Sequence, residues 1–342
     1  MPSNTERGLR CVVPKWTSAI LLVLVLGFGP LVAAAAGFRV IVDDKLQFGV
    51  WYPSDTPTTV QRLGPFDVNV AKDAPLRDGQ YEPLLFSHGH GGRYRNHYLT
   101  AQLLADAGYI VIAPQHEADY LIGGPQTAQA LDHRYIELTM ALKSVESNSD
   151  FIGHIDSQTV HGVGYSLGGA TILLAAGAGF SSERLAQHCN EHQRNDAAYC
   201  EDPGKLFRLT QYFRHDVSLP DTADPFRNPP LVNGKVVLVA SAYQGLDLTP
   251  PLSLTKLMII AIEGDTIVKP KFHARPLFEA ACGQIPCDYQ TVPGHHYAFI
   301  APFPKWLTDE EDIPVAKDPE GFDRPEFVKT LNAKILNFMV SD

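Results

Sequence analysis

The feature that most constrains this chain is a serine flanked by glycines between a predicted strand and a predicted helix. Residues 164–169 read Gly-Tyr-Ser-Leu-Gly-Gly, with a strand-like run at 159–163 before them and an apolar stretch at 171–176 after them. A strand, a sharp turn and a helix in this order are typical of a nucleophile elbow, which holds a serine at the tip of the turn. Small residues are needed at positions 164 and 168, because strand and helix pass closely there. Ser166 is therefore the candidate nucleophile.

A Gly-x-Ser-x-Gly pattern also arises by chance in a chain with 27 glycines among 342 residues. Its structural alternative is a glycine-rich turn that only packs a helix on a sheet. Other parts of the chain must therefore supply the partners that a nucleophile needs.

The first 36 residues have the composition of a secretory signal peptide. An apolar run at 19–32 leads into four alanines at 33–36, and three basic residues precede it: Arg7, Arg10 and Lys15. An uncleaved membrane anchor is the alternative, but glycines and a proline interrupt the apolar run, which is shorter than the roughly 20 residues of a membrane span. We expect cleavage, a mature domain at 37–342, no stable membrane insertion afterwards, and a secreted or periplasmic location.

The charge of the mature chain argues against nucleic acid as a partner. Removal of residues 1–36 takes away three basic residues and Glu6, which leaves 25 Lys and Arg against 37 Asp and Glu. A net negative charge disfavours binding to phosphate backbones. The content of 45% hydrophobic and 19% charged residues is typical of a globular core. We therefore expect a globular protein without a nucleic-acid partner.

Four cysteines remain once the leader and its Cys11 are removed: Cys189, Cys200, Cys282 and Cys287. An even number in an exported chain favours disulfides. Proximity in the sequence favours pairing each cysteine with its nearest neighbour, although four cysteines allow three pairings and buried free thiols are the alternative. Neither pair has the short spacing or the histidine partners of a zinc site, so the cysteines imply no metal.

The remainder of the chain has the pattern of an α/β domain. The segments 38–42 and 48–52 predict an opening hairpin, and residues 54–82 predict a long surface connection. From residue 83 on, short apolar strands alternate with helices, which indicates a parallel sheet covered by helices on both faces. The strands are expected at 83–87, 109–113, 159–163, 236–240, 257–262 and 288–291, and the helices at 96–107, 127–147, 167–176, 271–282 and 326–339. The sequence thus predicts a single doubly wound α/β domain, with an inserted cap-like excursion at about 178–231.

Three loops at the ends of predicted strands carry the residue types of nucleophilic catalysis. Open parallel sheets place functional groups on loops at the carboxyl ends of their strands. Ser166 follows one strand, Asp265 follows a second, and His295 with His296 follows a third. A serine needs a base to accept its proton, and a carboxylate fixes the tautomer of that base and stabilises its cation. The chain order Ser, Asp, His is that of α/β-hydrolases.

Two assignments in this set have alternatives. Asp265 follows a glycine on a loop, so its role can instead be that of a turn residue bonded to its own backbone. Only one of His295 and His296 can act as the base. We favour His296, which makes His295 a neighbouring or surface residue.

A fourth loop resembles the one that supplies an oxyanion hole in lipases and esterases. Residues 87–92 read Ser-His-Gly-His-Gly-Gly after the predicted strand at 83–87. The functional atoms of such a loop are backbone N–H groups aimed at the oxygen that gains charge during acyl transfer. We expect the amide of His90 to pair with the amide of Leu167 in this role.

The histidines near this loop raise the alternative of a metal site. Four lie close together in the sequence: His88, His90, His97 and His116. They lie in turns or beside glycines without carboxylates at ligand spacing, which favours loop packing over metal binding. Charged residues on the predicted helix at 127–147 also receive structural roles, since Arg134 and Asp132 are interpreted as solvated or as ion-pair residues. No metal or other cofactor is therefore expected.

Several motifs in the same order resemble those of the predicted dienelactone hydrolase group of α/β-hydrolases and, more distantly, of the platelet-activating-factor acetylhydrolases. The likeness covers most of the mature chain. It rests on Trp-Tyr-Pro at 51–53, Leu-Phe-Ser-His-Gly-His-Gly-Gly at 85–92, Gly-Tyr-Ile-Val-Ile-Ala-Pro-Gln-His at 108–116, the elbow at 164–169 and His-Tyr-Ala-Phe at 296–299. The resemblance implies an α/β-hydrolase fold with Ser166 as nucleophile, Asp265 as acid and His296 as base. The base follows from His-x-x-Phe, which is similar to the closing motif of the family.

The chain departs from these families in three places. His295 adds a second histidine beside the base, and His90 stands where the acetylhydrolases typically have an apolar residue. True dienelactone hydrolases use a cysteine nucleophile, whereas this elbow contains Ser166. The name of the group therefore says little about the substrate.

These observations predict an exported serine hydrolase that cleaves carboxylic esters through an acyl-enzyme, with a small-molecule or lipid ester as substrate. A lipid or polyester hydrolase is the first alternative, with the excursion at 178–231 as a lid, although its many charges argue against a lipid-facing surface. A catalytically silent binding protein with a hydrolase-like fold is the second, and the intact set of functional residues argues against it. Acyl length, physiological ester and oligomeric state stay open at this point.

Overall fold

Four strands at the start of the chain form one end of a large sheet. The computed structural model describes residues 35–44, 46–117, 128–200, 223–309 and 313–341. Its first strands are β1 (Ala35–Asp43), β2 (Leu46–Ser54), β3 (Thr59–Leu63) and β4 (Phe66–Lys72). β1 pairs antiparallel with β2, as the predicted hairpin requires, and it pairs parallel with β4 on its other side. The predicted leader lies outside the described residues except for 35 and 36, which open β1.

The prediction of a surface connection at 54–82 is wrong where the chain forms β3 and β4. These two strands pair antiparallel with each other and extend the sheet beyond β1. In β4 the buried residues Phe66, Val68 and Val70 alternate with exposed polar ones, which is the two-residue period of a half-buried strand. The alternation in this stretch is therefore the signal of an antiparallel edge.

The central part of the chain alternates between strands and helices, as predicted. In chain order these are β5 (Pro83–Ser87), α1 (Tyr98–Asp106), β6 (Ile110–Pro114), α2 (Ala128–Ser147), β7 (His161–Tyr165) and α3 (Leu167–Ala175). β7 continues two residues beyond its predicted end at 163, through a stretch that includes Gly164. A single residue, Ser166, therefore separates the strand from the helix that follows.

The predicted excursion at 178–231 contains short elements. They are β8 (Gly179–Phe180), α4 (Ser182–His192), α5 (Ala197–Cys200) and β9 (Phe226–Arg227). Its residues 201–222 lie outside the described part of the chain. β8 is the middle strand of a small antiparallel sheet of three strands, which it forms with β9 and a later strand, β11 (Leu246–Asp247). The role of the excursion as a cap stays a prediction.

The last part of the chain returns to the large sheet. It contains β10 (Lys235–Val239), β12 (Lys256–Ile262), α6 (Ala274–Ala281), β13 (Cys287–Val292), α7 (Lys305–Thr308) and α8 (Arg324–Val340). Two short 3₁₀ helices, His296–Phe299 and Pro314–Ala316, lie between β13 and α8.

The large sheet has ten strands in the order β13-β12-β10-β7-β5-β6-β2-β1-β4-β3. The six strands from β13 to β6 are all parallel to their neighbours, and β2 joins β6 in antiparallel fashion. β5, β6 and β7 are buried along their whole lengths, as expected for parallel strands covered on both faces. The predicted mixed α/β architecture with a mostly parallel sheet is confirmed.

Two hydrophobic clusters lie on opposite faces of this sheet, because neighbouring residues of a strand point to opposite sides. In β5, for example, Leu85 belongs to one cluster, whereas Leu84 and Phe86 belong to the other. Buried residues of α2, α3 and α6 join the cluster of Leu85, and those of α1 and α8 join the second. Helices therefore cover both faces, and the loops at the strand ends remain available for a site.

Two disulfides link the nearest cysteines, Cys189 with Cys200 and Cys282 with Cys287. The predicted disulfides are confirmed, with the pairing that sequence proximity favours. Among the described residues, no helix is both long and apolar enough to cross a membrane.

Candidate active site

Ser166 has a backbone conformation that few side chains adopt. It lies between the end of β7 and the start of α3 with φ 54° and ψ −122°. Such positive φ values are strained for residues other than glycine and concentrate at functional sites. The neighbouring glycines make the turn possible: a Cβ at Gly164 would lie 2.6 Å from the carbonyl oxygen of Gly168, and one at Gly168 would lie 1.9 Å from that of Ser87. A side chain at position 164 or 168 would therefore not fit at this turn.

Three of the predicted site residues meet in one hydrogen-bonded series. The Oγ atom of Ser166 lies 3.0 Å from Nε2 of His296, and Nδ1 of His296 lies 2.6 Å from Oδ2 of Asp265. They are 8%, 6% and 4% exposed, respectively. The series joins loops that follow three parallel strands, β7, β12 and β13. Residues separated by up to 130 positions in the chain are thereby brought together.

The carboxylate of Asp265 is oriented by its own backbone. Its Oδ1 atom accepts hydrogen bonds from the amides of Ile267 and Val268, each at 2.8 Å. Oδ2 is thereby directed at His296. A carboxylate accepts but does not donate, so Nδ1 of His296 carries the hydrogen and Nε2 is left as an acceptor for the hydroxyl of Ser166. The turn role considered for Asp265 is therefore real for one oxygen, while the other oxygen bonds the imidazole.

Of the two adjacent histidines, the structure brings only His296 to Ser166. The Nε2 atom of His295 instead lies 2.8 Å from Oδ1 of Asp318, which also accepts a hydrogen bond from Arg324 at 2.9 Å. Arg324 donates a further bond to the carbonyl oxygen of Tyr297 at 3.0 Å. His295 thus belongs to an ion cluster that holds the loop behind His296.

Tyr165 and His97 support the same loop, and sequence reasoning assigned neither to this role. The hydroxyl of Tyr165 donates to the carbonyl oxygen of His296 at 2.7 Å, and burial raises the pKa of this tyrosine well above its usual value. His97 packs against Phe86 and Phe299, with Nδ1 3.2 Å from the carbonyl oxygen of Phe299. Burial lowers the pKa of His97 to about 3, so its ring stays neutral. Local sequence carried no signal for these contacts, because the partners lie far apart in the chain.

A pocket with a volume of about 350 Å³ opens above the serine. The loop Gly89–Gly92 lines one side of this pocket. It passes close to the serine, since a Cβ added at Gly89 would lie 3.2 Å from the Cβ of Ser166. Leu167 is the first residue of α3, where backbone N–H groups have no carbonyl partner within the helix. Both residues expected to donate to an oxyanion, His90 and Leu167, therefore line the same pocket as Ser166. The other walls are largely apolar and include Ala198, Tyr199, Ala242, Ile267, Val268, Ile300 and Val315.

Among the described residues, one cluster of potential metal ligands lies in the excursion. His188, Asp196 and Cys200 approach one another closely, but the sulfur of Cys200 is bonded to Cys189. Two residues then remain, fewer than the three or four protein ligands of zinc sites. Oδ2 of Asp196 accepts hydrogen bonds from Nε2 of His188 at 3.0 Å and of His273 at 3.2 Å. Burial alone would raise the pKa of Asp196, but these two bonds outweigh it and lower the pKa. In this cluster the carboxylate of Asp196 therefore links His188 and His273 through hydrogen bonds.

Of the two roles considered for Arg134, solvated or ion-paired, the solvated one is wrong. Arg134 is fully buried, and its guanidinium donates to the carbonyl oxygen of His88 at 2.6 Å and to Oγ1 of Thr171 at 2.9 Å. It occupies the buried stripe of α2, between Leu131 and Leu138. Side chains three and four positions apart share one face of a helix, so this spacing was the signal that could have revealed its burial.

The comparisons with known proteins add no identification. Neither the protein-family models nor the curated proteins contain a match to this chain.

Proposed function

We propose that this protein is a serine hydrolase that cleaves carboxylic esters through an acyl-enzyme. The observation that carries the proposal is the series from Ser166 through His296 to Asp265, with hydrogen-bond distances of 3.0 and 2.6 Å at the base of an open pocket. Nucleophile, base and orienting carboxylate are the three parts that activate a serine hydroxyl.

The architecture supports an α/β-hydrolase fold for this chain. The serine lies on a strained turn between a strand and a helix, and the three residues follow in the chain order Ser, Asp, His. The loop Gly89–Gly92 follows β5, next to the nucleophile strand in the sheet, which suits the supply of a second oxyanion donor. The same features support the resemblance to the dienelactone hydrolase group and the acetylhydrolases.

In the proposed reaction His296 accepts the proton of Ser166 as its oxygen attacks the ester carbonyl. The negative charge that develops on the carbonyl oxygen is stabilised by the amides of His90 and Leu167, and Asp265 stabilises the imidazolium. His296 then gives its proton to the departing alcohol, which leaves an acyl group on Ser166. A water molecule, activated by the same imidazole, releases the acid and restores the serine. The chain's own residues supply every step, so the proposal includes no cofactor.

The pocket favours small esters over long-chain lipids. Its volume of about 350 Å³ lies at the lower end of the roughly 300–1,000 Å³ that is typical of small-molecule sites. Its largely apolar walls suit an acyl or alkyl group rather than a charged one. Two disulfides fit an oxidising compartment, in agreement with export of the mature protein.

Hydrolysis of p-nitrophenyl esters from acetate to palmitate tests the proposal, together with labelling by a fluorophosphonate probe. We expect turnover to be highest with short acyl chains, and both turnover and labelling to be lost in Ser166→Ala. Ser147→Ala, at the exposed end of α2, is the matched control and should keep both activities. Wild-type protein that neither turns over esters nor reacts with the probe would refute the proposal and favour a silent binding protein. An optimum at palmitate would favour a lipid hydrolase.

A further inference from the structure

Arg134 lies behind the proposed oxyanion hole and contacts both of its halves. Arg134 donates to the carbonyl oxygen of His88. His88 comes two residues before His90, which lines the pocket. The hydroxyl acceptor of Arg134, Thr171, lies one helical turn after Leu167 and donates its own hydrogen to the carbonyl oxygen of Leu167 at 3.1 Å. One guanidinium thus bridges the two backbone segments whose amides are expected to bind the oxyanion.

The loop that carries His90, which forms one side of the proposed oxyanion hole, is held in place by further buried hydrogen bonds. Nδ1 of His88 lies 2.7 Å from the carbonyl oxygen of Gly89, which also accepts from the amide of Gly92 at 3.0 Å. Nε2 of His88 accepts from the amide of His116 at 3.3 Å. Burial lowers the pKa of His88 well below its usual value, and the positive charge of Arg134 lowers it further. The ring is therefore neutral, which allows Nε2 to accept a hydrogen bond while Nδ1 donates one.

An arginine is an unusual choice for this position if the only requirement is stability. Desolvation of a charge is costly, and replacement of buried charged groups by apolar residues of similar volume is often neutral or stabilising. A guanidinium is, however, a planar fork that can hold two acceptors at a fixed separation, which a lysine cannot do. The two bonds at 2.6 and 2.9 Å use this property directly.

We propose that Arg134 is a positioning residue that sets the separation between the amides of His90 and Leu167. The inference rests on the proposed function, because the separation matters only if the two amides bind an oxyanion. Arg134 does not touch the substrate, so its loss should leave ground-state binding nearly intact. Transition-state binding should weaken, because the two amides that bind the oxyanion would no longer be held at the right separation.

The test compares Arg134→Met, Arg134→Lys and Thr171→Val with wild type. Thr171→Val keeps the arginine but removes its bond to α3 together with the bond from the Thr171 hydroxyl to the carbonyl oxygen of Leu167, so it remains informative if the Arg134 variants fail to fold. Arg39→Met is the matched control: this arginine donates to Tyr52, Asp150 and Ala74, and it is not among the pocket-lining residues. Its loss should lower stability without changing kcat.

We expect Arg134→Met to lower kcat for p-nitrophenyl acetate by about 10- to 100-fold, less than the 10²- to 10³-fold typical of deleting a donor, with KM within about twofold. An alkyl trifluoromethyl ketone, whose serine adduct carries an oxyanion, should bind more weakly by the same factor in a ¹⁹F NMR titration. Arg134→Lys should be intermediate, and Thr171→Val should show a smaller loss in kcat. Variants that keep the wild-type kcat and ketone affinity, or change them no more than Arg39→Met does, would overturn the inference.

Amide hydrogen exchange of peptides covering 88–92 and 167–171 separates this inference from the proposed function. Faster exchange in Arg134→Met or Thr171→Val than in Arg39→Met supports the positioning role, and unchanged exchange overturns it. Absence of turnover and probe labelling in wild type would overturn the proposed function, whereas faster exchange in the variants would still show that Arg134 positions the two segments. The two failures are thus distinguishable.

Discussion

Gly168→Ala is the substitution for which the structure gives the sharpest expectation. The new Cβ would lie 1.9 Å from the carbonyl oxygen of Ser87 and 2.6 Å from that of His88. Real Cβ contacts are essentially never closer than 3.0 Å, so the backbone at Ser87 must move by about 1.1 Å. The neighbouring atoms are backbone rather than the end of a flexible side chain, so no rotamer change can relieve the contact. The displaced segment leads directly into the loop that carries His90.

A shift of this size should affect catalysis more than stability. A misplacement of about 1 Å can cost roughly 10² in rate when it moves groups that bind the transition state. Overpacking of a dense core typically costs about 1–3 kcal/mol, and the higher helix propensity of alanine offsets up to about 1 kcal/mol of this. We therefore expect a folded variant with kcat for p-nitrophenyl acetate reduced about 100-fold.

Gly283→Ala is the matched control, because no atom lies within 4 Å of the position of its Cβ. It should leave kcat unchanged and raise the free energy of unfolding by a few tenths to about 1 kcal/mol, through the lower entropy of the unfolded chain. Steady-state kinetics and urea unfolding measure both quantities for each variant. A Gly168→Ala protein with wild-type kcat would refute the reasoning, since the loop would then tolerate the shift or play no part in catalysis.

Two further predictions concern stability. In the unfolded chain His97 binds a proton below about pH 6.5, whereas in the folded protein its pKa is about 3 and it stays neutral over this range. The free energy of unfolding therefore falls by about 1.4 kcal/mol per pH unit as the pH drops from about 6.5 to about 3. His97→Phe should remove this part of the pH dependence of urea unfolding between pH 6 and 4, and an unchanged slope would contradict the assignment. Replacing Cys189 and Cys200 by serine should cost about 2.8 kcal/mol and replacing Cys282 and Cys287 about 2.1 kcal/mol, because sequence separations of 11 and 5 close loops of different length. If urea unfolding showed a larger loss for the second disulfide than for the first, loop entropy would not be the main contribution of these disulfides to stability.

The sheet and the loops of the candidate site were predictable because their signals are local. Apolar runs such as Lys256–Ile262 mark buried parallel strands, and the turns that follow them carry Asp265 and His296 within a few residues. The parallel arrangement then brings those loops to one edge without any knowledge of side-chain contacts. Strands β3 and β4 were missed because polar residues recur along both, as they do in a surface connection. The alternation in β4 and its pairing with β1 and β3 distinguish the two.

The contacts that orient the site were not predictable in the same way. Tyr165 donates to a carbonyl 131 positions away, and His97 lies against one 202 positions away. No local pattern encodes such pairs. Arg134 is different, since its place on the apolar stripe of α2 is visible in the sequence. A charged residue on such a stripe indicates a buried polar network, because an isolated buried charge is too costly to persist.

A second hydrogen-bonded series in the molecule shows that geometry alone does not identify a nucleophile. Oγ of Ser87 lies 2.9 Å from Nε2 of His116, and Nδ1 of His116 lies 2.7 Å from a carboxylate oxygen of Glu137. These distances match those around Ser166, with a glutamate in place of the aspartate. Ser87, however, is fully buried at the end of β5, does not line the pocket, and is not among the described non-glycine residues with positive φ.

The difference between the two serines lies in access and in strain. An ester carbonyl cannot reach Ser87 without opening the core, whereas Ser166 lies at the base of a pocket on a turn that few residues tolerate. The series of Ser87 instead ties β5, and with it the loop that follows, to Glu137, one helical turn beyond Arg134 on α2. A fluorophosphonate probe should therefore modify Ser166 and leave Ser87 unmodified in a peptide map of the folded protein. Modification of Ser87 would show that triad-like distances, and not access, decide reactivity in this fold.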